Sequence, residues 1–123
     1  MKKILLVDDN EVHLSTAELF LKGEYEIHKA KSGDEALLFL ADTKFIPDLI
    51  MLDILMPNMD GWEVFNNIKA LDRLKDVPIL FLTSVAGDAE KKKAQDLGAV
   101  DYITKPYNMT LLKSTVGDIL EDK

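Results

Sequence analysis

Five short apolar runs, each followed by a segment of helical spacing, constrain this chain more than any other feature. The runs are ILLV (4–7), YEIHKA (25–30), LIML (49–52), PILFL (78–82) and VDYI (100–103). After the first run, Val12, Leu14, Ala17, Leu19, Phe20 and Leu21 recur at helical intervals. After the second, KSGDEALLFLA (31–41) sets Ser32 and Glu35 at capping-box spacing, with Ala36, Leu37 and Leu40 on one face. After the third, Asp60 is placed to cap a helix whose buried stripe is Val64, Phe65, Ile68 and Leu71. A weaker helix over 86–97 ends at Gly98, and a last one carries Leu112, Val116 and Ile119 on one side. Strand–helix alternation of this kind predicts a parallel sheet covered by helices on both faces.

The runs also differ in a way that orders the sheet. Those at 4–7, 49–52 and 79–82 are continuously apolar, as strands buried on both faces must be. The run at 25–30 carries Glu26 and His28, and that at 100–103 carries Asp101, so both read as edges. Strands 1, 3 and 4 inside with 2 and 5 outside give the order 2-1-3-4-5, a flavodoxin-like doubly wound α/β fold with five helices. A chain of 123 residues suits one such domain, expected over 1–123 with no separate output domain. A net charge of −7 argues against a nucleic-acid partner, and no apolar stretch approaches membrane-spanning length. With no cysteine, disulfides and thiolate metal sites are excluded, and a reducing, cytoplasmic setting is expected.

In an open parallel sheet, ligands bind beyond the carboxyl ends of the strands, where the winding reverses. Strand 1 ends in Asp8 and Asp9, strand 3 in Asp53, and strand 4 in Thr83 and Ser84. Strand 5 leads through Thr104 to Lys105 and Pro106. Three carboxylates at one rim repel one another, and a hard divalent cation relieves that repulsion. Oxygen donors without cysteine or histidine favour Mg²⁺ over zinc, with Mn²⁺ as a substitute. Asp53 interrupts an apolar run, where an unpaired carboxylate is costly. As a nucleophile toward phosphorus, compensated by metal and by Lys105, it acquires a purpose, and Thr83 is placed to donate its hydroxyl to a phosphoryl oxygen.

With LLVDDN (5–10), LIMLDILMPNMDGWE (49–63), ILFLTS (79–84) and GAVDYITKPY (98–107) in this order, the chain resembles the response-regulator receiver domain of two-component signalling, of the single-receiver chemotaxis type. The resemblance implies that Asp53 is the phosphoacceptor. It implies that Asp9, Asp53 and the Leu55 backbone carbonyl ligate the metal, with Asp8 acting through water. Lys105 would bind the phosphoryl group, with a cis bond to Pro106, and Thr83 and Tyr102 would be the moving switch residues. The donor would be a sensor histidine kinase or a phosphotransfer protein, read chiefly by the first helix, Val12 to Leu21. Helix 4, strand 5 and helix 5 would form the output surface toward a downstream protein target or a fused output domain, with phosphorylation-dependent dimerisation as one use of it. Such a domain catalyses only its own phosphorylation and dephosphorylation and is not otherwise an enzyme. Leu55 and Val85 lie at positions that tune phosphoryl lifetime in this family, and both are apolar here. Slow loss of phosphate is therefore expected. Tyr107 stands where phenylalanine is commoner.

Blander readings compete for individual residues. Asp8 and Asp9 alone would serve as helix caps, and Thr83 and Ser84 as turn formers. His13 and His28 read as surface or edge residues, and EKKK (90–93) as a solvated helix face. A haloacid-dehalogenase-type phosphatase would carry its nucleophile at the first strand with a second aspartate two residues on, whereas VDDNEV stands there. A flavodoxin would need a hydroxyl- and glycine-rich loop at the same place. A non-phosphorylated interaction module on the same scaffold is the third rival.

Overall fold

The computed structural model describes residues 1–84, 87–106 and 108–121. Five strands, β1 (Lys3–Val7), β2 (Glu26–Ala30), β3 (Leu49–Asp53), β4 (Ile79–Thr83) and β5 (Asp101–Thr104), alternate with five helices. These are α1 (Glu11–Leu21), α2 (Gly33–Ala41), α3 (Gly61–Lys69), α4 (Asp88–Leu97) and α5 (Met109–Glu121). The strands form one parallel sheet in the order β2-β1-β3-β4-β5. This is the doubly wound arrangement expected from the apolar runs.

Alternation along the inner strands divides the core into two layers. Leu5, Val7, Ile50, Leu52, Ile79 and Phe81 face α2, α3 and the α4 residue Ala94. Ile4, Leu6, Leu49, Met51, Leu80 and Leu82 face α1 and α5. Every residue of β3 and β4 is buried, as two-sided coverage requires. Local chemistry fixes where the helices begin. The Asn10 side chain accepts from the Val12 and His13 N–H groups, Ser32 from Glu35 N–H, and Asp60 from Glu63 N–H.

Three details depart from the sequence reading. Leu71 lies beyond the end of α3, and at 39% exposure it is not part of the buried stripe. Val12 and Leu19 point outward at 70% and 64% exposure, because Leu14, Ala17 and Leu21 occupy the core-facing side of α1. That helix therefore has two apolar faces, one without a neighbour among the described residues. The fourth helix starts at Asp88 rather than at 86 and contributes only Ala94 to the core. No helix of the described residues is long and apolar enough to cross a membrane.

Candidate functional site

The carboxyl ends of β1, β3 and β5 deliver charged side chains into one cleft of about 190 Å³. Asp8 follows β1 and is buried, Asp9 beside it is exposed, and Asp53 closes β3 with only 4% exposure. Carboxylate oxygens of these three lie within 4.8 Å of one another. Lys105, also buried, sends its Nζ to Asp8 Oδ2 at 2.5 Å and stands 3.4 Å from Asp53 Oδ2. Thr83 is fully buried, and its carbonyl accepts the Lys105 N–H at 2.7 Å, tying the lysine segment to the end of β4. Ser84 and Leu55 line the cleft, Leu55 with 53% of its surface exposed.

The backbone around Asp53 is held tightly. The Ile54 N–H donates to Leu82 O, and the Gly61 N–H donates to Ile54 O. The start of α3 thus rests directly on the strand end. A Cβ on Gly61 would stand 2.4 Å from Asp53 O and 2.7 Å from Ile54 Cα, so only glycine fits there. The intervening turn passes through Asn58 in the left-handed region, at φ 69°, which asparagine tolerates better than most side chains. The Lys105–Pro106 bond is cis.

The electrostatics follow from this crowding. Burial pushes the Asp53 carboxyl up from the usual range to about 7, the Asp8 charge adds to the rise, and Lys105 opposes it. One ammonium group does not offset two buried carboxylates and a third at the rim. A divalent cation would, and oxygen-only donors with one open side suit such an ion. The residues present therefore fit a hard divalent metal. Asp8, read in isolation as a cap, is instead a buried pairing group, since Asn10 performs the capping while its own N–H donates to Asp8 Oδ1 at 2.9 Å.

Tyr102 lies on β5, half-buried against the layer containing Phe81, and burial raises its phenol above the usual range while the Gly87 backbone opposes the rise. Val85 and Tyr107 lie outside the described residues. The sequence reading took His13 as a surface or edge residue, and its side chain is 35% exposed. It lines the cleft, with Nδ1 3.7 Å from Asp8 Oδ2. The signal was available, because a residue in the first turn of the helix after β1 sits beside the strand end. His28 behaves as the edge residue expected, wedged between Phe39 and Phe45 and hydrogen-bonded to Glu26.

Comparison with known proteins identifies the family. The model of the response regulator receiver domain matches residues 4–117. This chain belongs to the response regulator receiver domain family. The general function of the family is a phosphorylation-dependent signalling switch. The chemotaxis protein CheY of Halobacterium salinarum is 37% identical over 120 residues, which is 97% of each chain. A probable cyclic di-GMP phosphodiesterase of Vibrio cholerae is 40% identical over 98% of this receiver chain, which spans only 27% of that relative. The chain likewise spans about a quarter of the response regulator PleD of Caulobacter vibrioides. Among solved structures, the Mn²⁺-bound form of response regulator Rcp1 superposes on this receiver with a TM-score of 0.87 at 27% identity, covering 100% of this chain and 97% of the other. Receiver domains bind divalent metal, in agreement with the donor set at this rim.

Proposed function

We propose that residues 1–123 act as one receiver domain in which Asp53 accepts a phosphoryl group from a sensor histidine kinase or a phosphotransfer protein. The observation that carries the reading is the convergence of Asp8, Asp9 and Asp53 with Lys105 at one buried strand end. An Asp53 carboxylate oxygen attacks phosphorus, an O–P bond forms as the P–N bond of a phosphohistidine breaks, and the leaving imidazole keeps the electron pair and takes up a proton. In this reading Asp9, Asp53 and the Leu55 carbonyl hold Mg²⁺, or Mn²⁺ in its place, with Asp8 acting through water. Bound there, the metal would neutralise the carboxylates and the transferred phosphoryl oxygens. Lys105 leaves its pairing with Asp8 to meet the phosphoryl group, and Thr83 brings its hydroxyl to the same oxygens. The chain turns over no other substrate. The cytoplasmic setting argued from the cysteine-free sequence belongs to the same reading.

The readout surface in this proposal is α4, β5 and α5, with Tyr102 following Thr83. Its lightly anchored α4, which contributes one residue to the core, is suited to reposition at small energetic cost. A downstream protein, a fused output domain or a second copy would be read there. The outward face of α1, with Val12 and Leu19 exposed, is where the phosphodonor protein would dock.

The test is intact mass after incubation with acetyl phosphate and Mg²⁺. One added phosphoryl group is expected, lost in Asp53→Asn and with chelator. No adduct, together with no response of Trp62 fluorescence to beryllofluoride, would leave the interaction module as the better reading.

A further inference from the structure

Asp8 is 1% exposed, and both of its oxygens are accounted for in this state. Oδ1 accepts the Asn10 N–H at 2.9 Å, and Oδ2 holds the Lys105 ammonium at 2.5 Å. The phosphoacceptor reading, on which this inference rests, requires Lys105 to turn toward Asp53, whose Oδ2 is already 3.4 Å from Nζ. A buried carboxylate that loses a donor pays a desolvation penalty, and with about four lone-pair sites on Asp8 the metal-bound water of that reading does not by itself replace every donor it loses. A second side-chain nitrogen stands close to that same oxygen. His13 Nδ1 lies 3.7 Å from Asp8 Oδ2.

We propose that His13 is a positioning residue of the switch: when Lys105 moves to the phosphoryl group on Asp53, the His13 Nδ1–H takes over the Asp8 oxygen that the lysine gives up. Closing from 3.7 Å to an ordinary hydrogen bond needs a shift of about 0.8 Å. The side chain has room for it, being 35% exposed, while its backbone N–H stays fixed on Asn10 Oδ1 at 3.1 Å. A neutral imidazole carrying its hydrogen on Nδ1 suffices, so the role does not depend on the charge of His13. It holds Asp8 in place in the phosphorylated state and lowers the cost of releasing Lys105.

The geometry supplies its own conservative variant. An asparagine Nδ2 occupies nearly the position of a histidine Nδ1, one bond beyond Cγ, whereas a leucine Cδ fills that place without a donor. Beryllofluoride in the presence of Mg²⁺ imitates the phosphoryl group, and Trp62, whose neighbour Gly61 abuts Asp53, reports its binding. His13→Leu should bind beryllofluoride about tenfold more weakly than wild type, the size expected for one hydrogen bond to a charged group. His13→Asn should restore affinity to within about threefold. Wild-type affinity in His13→Leu, or equal weakening in both variants, would overturn the proposal. Silence of the wild-type protein itself would overturn the phosphoacceptor reading, and this inference with it.

Discussion

Replacing Gly61 by alanine tests whether the acceptor strand is braced by the following helix. The added Cβ would meet Asp53 O at 2.4 Å, Ile54 Cα at 2.7 Å and Asp53 C at 3.0 Å. All three are backbone atoms, so no side-chain rotation relieves the overlap. Ordinary contact begins near 3.4 Å, and α3 or the end of β3 must therefore retreat by nearly 1 Å. Neither gives easily, because α3 is anchored by buried Val64, Phe65 and Ile68 and β3 is buried throughout between two strands. Overpacking of this kind costs about 1–3 kcal/mol, and the rigidity of both sides argues for about 3. At about 4 °C per kcal/mol for a domain of this size, thermal unfolding followed by circular dichroism should fall by about 12 °C. The acceptor oxygen would move with the strand, and a misplacement of about 1 Å slows positioned chemistry by about a hundredfold. Labelling by acetyl phosphate should slow accordingly in the folded variant well below its midpoint. Gly117→Ala is the matched control, since its Cβ would meet nothing within 4 Å inside α5, and it should stabilise by up to about 1 kcal/mol. A Gly61→Ala protein melting within about 2 °C of wild type would refute the bracing argument.

Further outcomes are expected at the same site. The Asp53 carboxyl, raised to about 7 in the folded state, ionises more readily in the unfolded chain, so the metal-free protein should lose stability as pH rises from about 4 through 7. Urea unfolding in chelator should accordingly show Asp53→Asn more stable than wild type at pH 8, with a smaller gap at pH 5; a constant gap would contradict the crowding argument. Mg²⁺ or Mn²⁺ should raise the wild-type free energy of unfolding by about 2.7 kcal/mol at a hundred times its dissociation constant, and this gain should shrink in Asp9→Asn. Leu55→Asn with Val85→Glu should shorten the phosphoryl lifetime measured by intact mass, and an unchanged lifetime would dispose of the idea that these side chains govern it. Lys93 stands 4.4 Å over the Trp62 ring, so Lys93→Ala should change Trp62 emission and cost about 0.5–1 kcal/mol.

How much of this was legible in the sequence depends on which force sets each feature. Continuous apolar runs and the polar residues Glu26, His28 and Asp101 set the strand order, because burial on two faces disfavours charge along the body of a strand. Asp8, Asp9, Asp53, Thr83 and Lys105 could be read as one group because each is the residue at a strand end, and the topology gathers strand ends. Helix faces were less legible. Val12 and Leu19 repeat at helical spacing as convincingly as Leu14, Ala17 and Leu21, and only packing decides which set turns inward. The place of His13 at the cleft was not legible for a related reason, since a lone histidine on a helix carries no periodic signal.

The cleft also accounts for what this fold gives up to carry its site. Asp8 and Asp53 are buried side by side, an arrangement that burial and like charge both oppose and that Lys105 relieves only in part. A chain shaped for stability alone would fill this strand end with apolar groups, since replacing buried charges by packed hydrophobic residues is often neutral or stabilising. The carboxylates therefore mark a place where stability is held below its attainable value in the metal-free, unphosphorylated state. Such a site is responsive for the same reason that it is costly. On the proposed reading, a divalent cation or a phosphoryl group would change the local charge balance by more than one unit, next to the close backbone contacts at Gly61 and Thr83. On that reading, the unrelieved repulsion at the end of β3 is the feature that would make this receiver domain sensitive to its ligands.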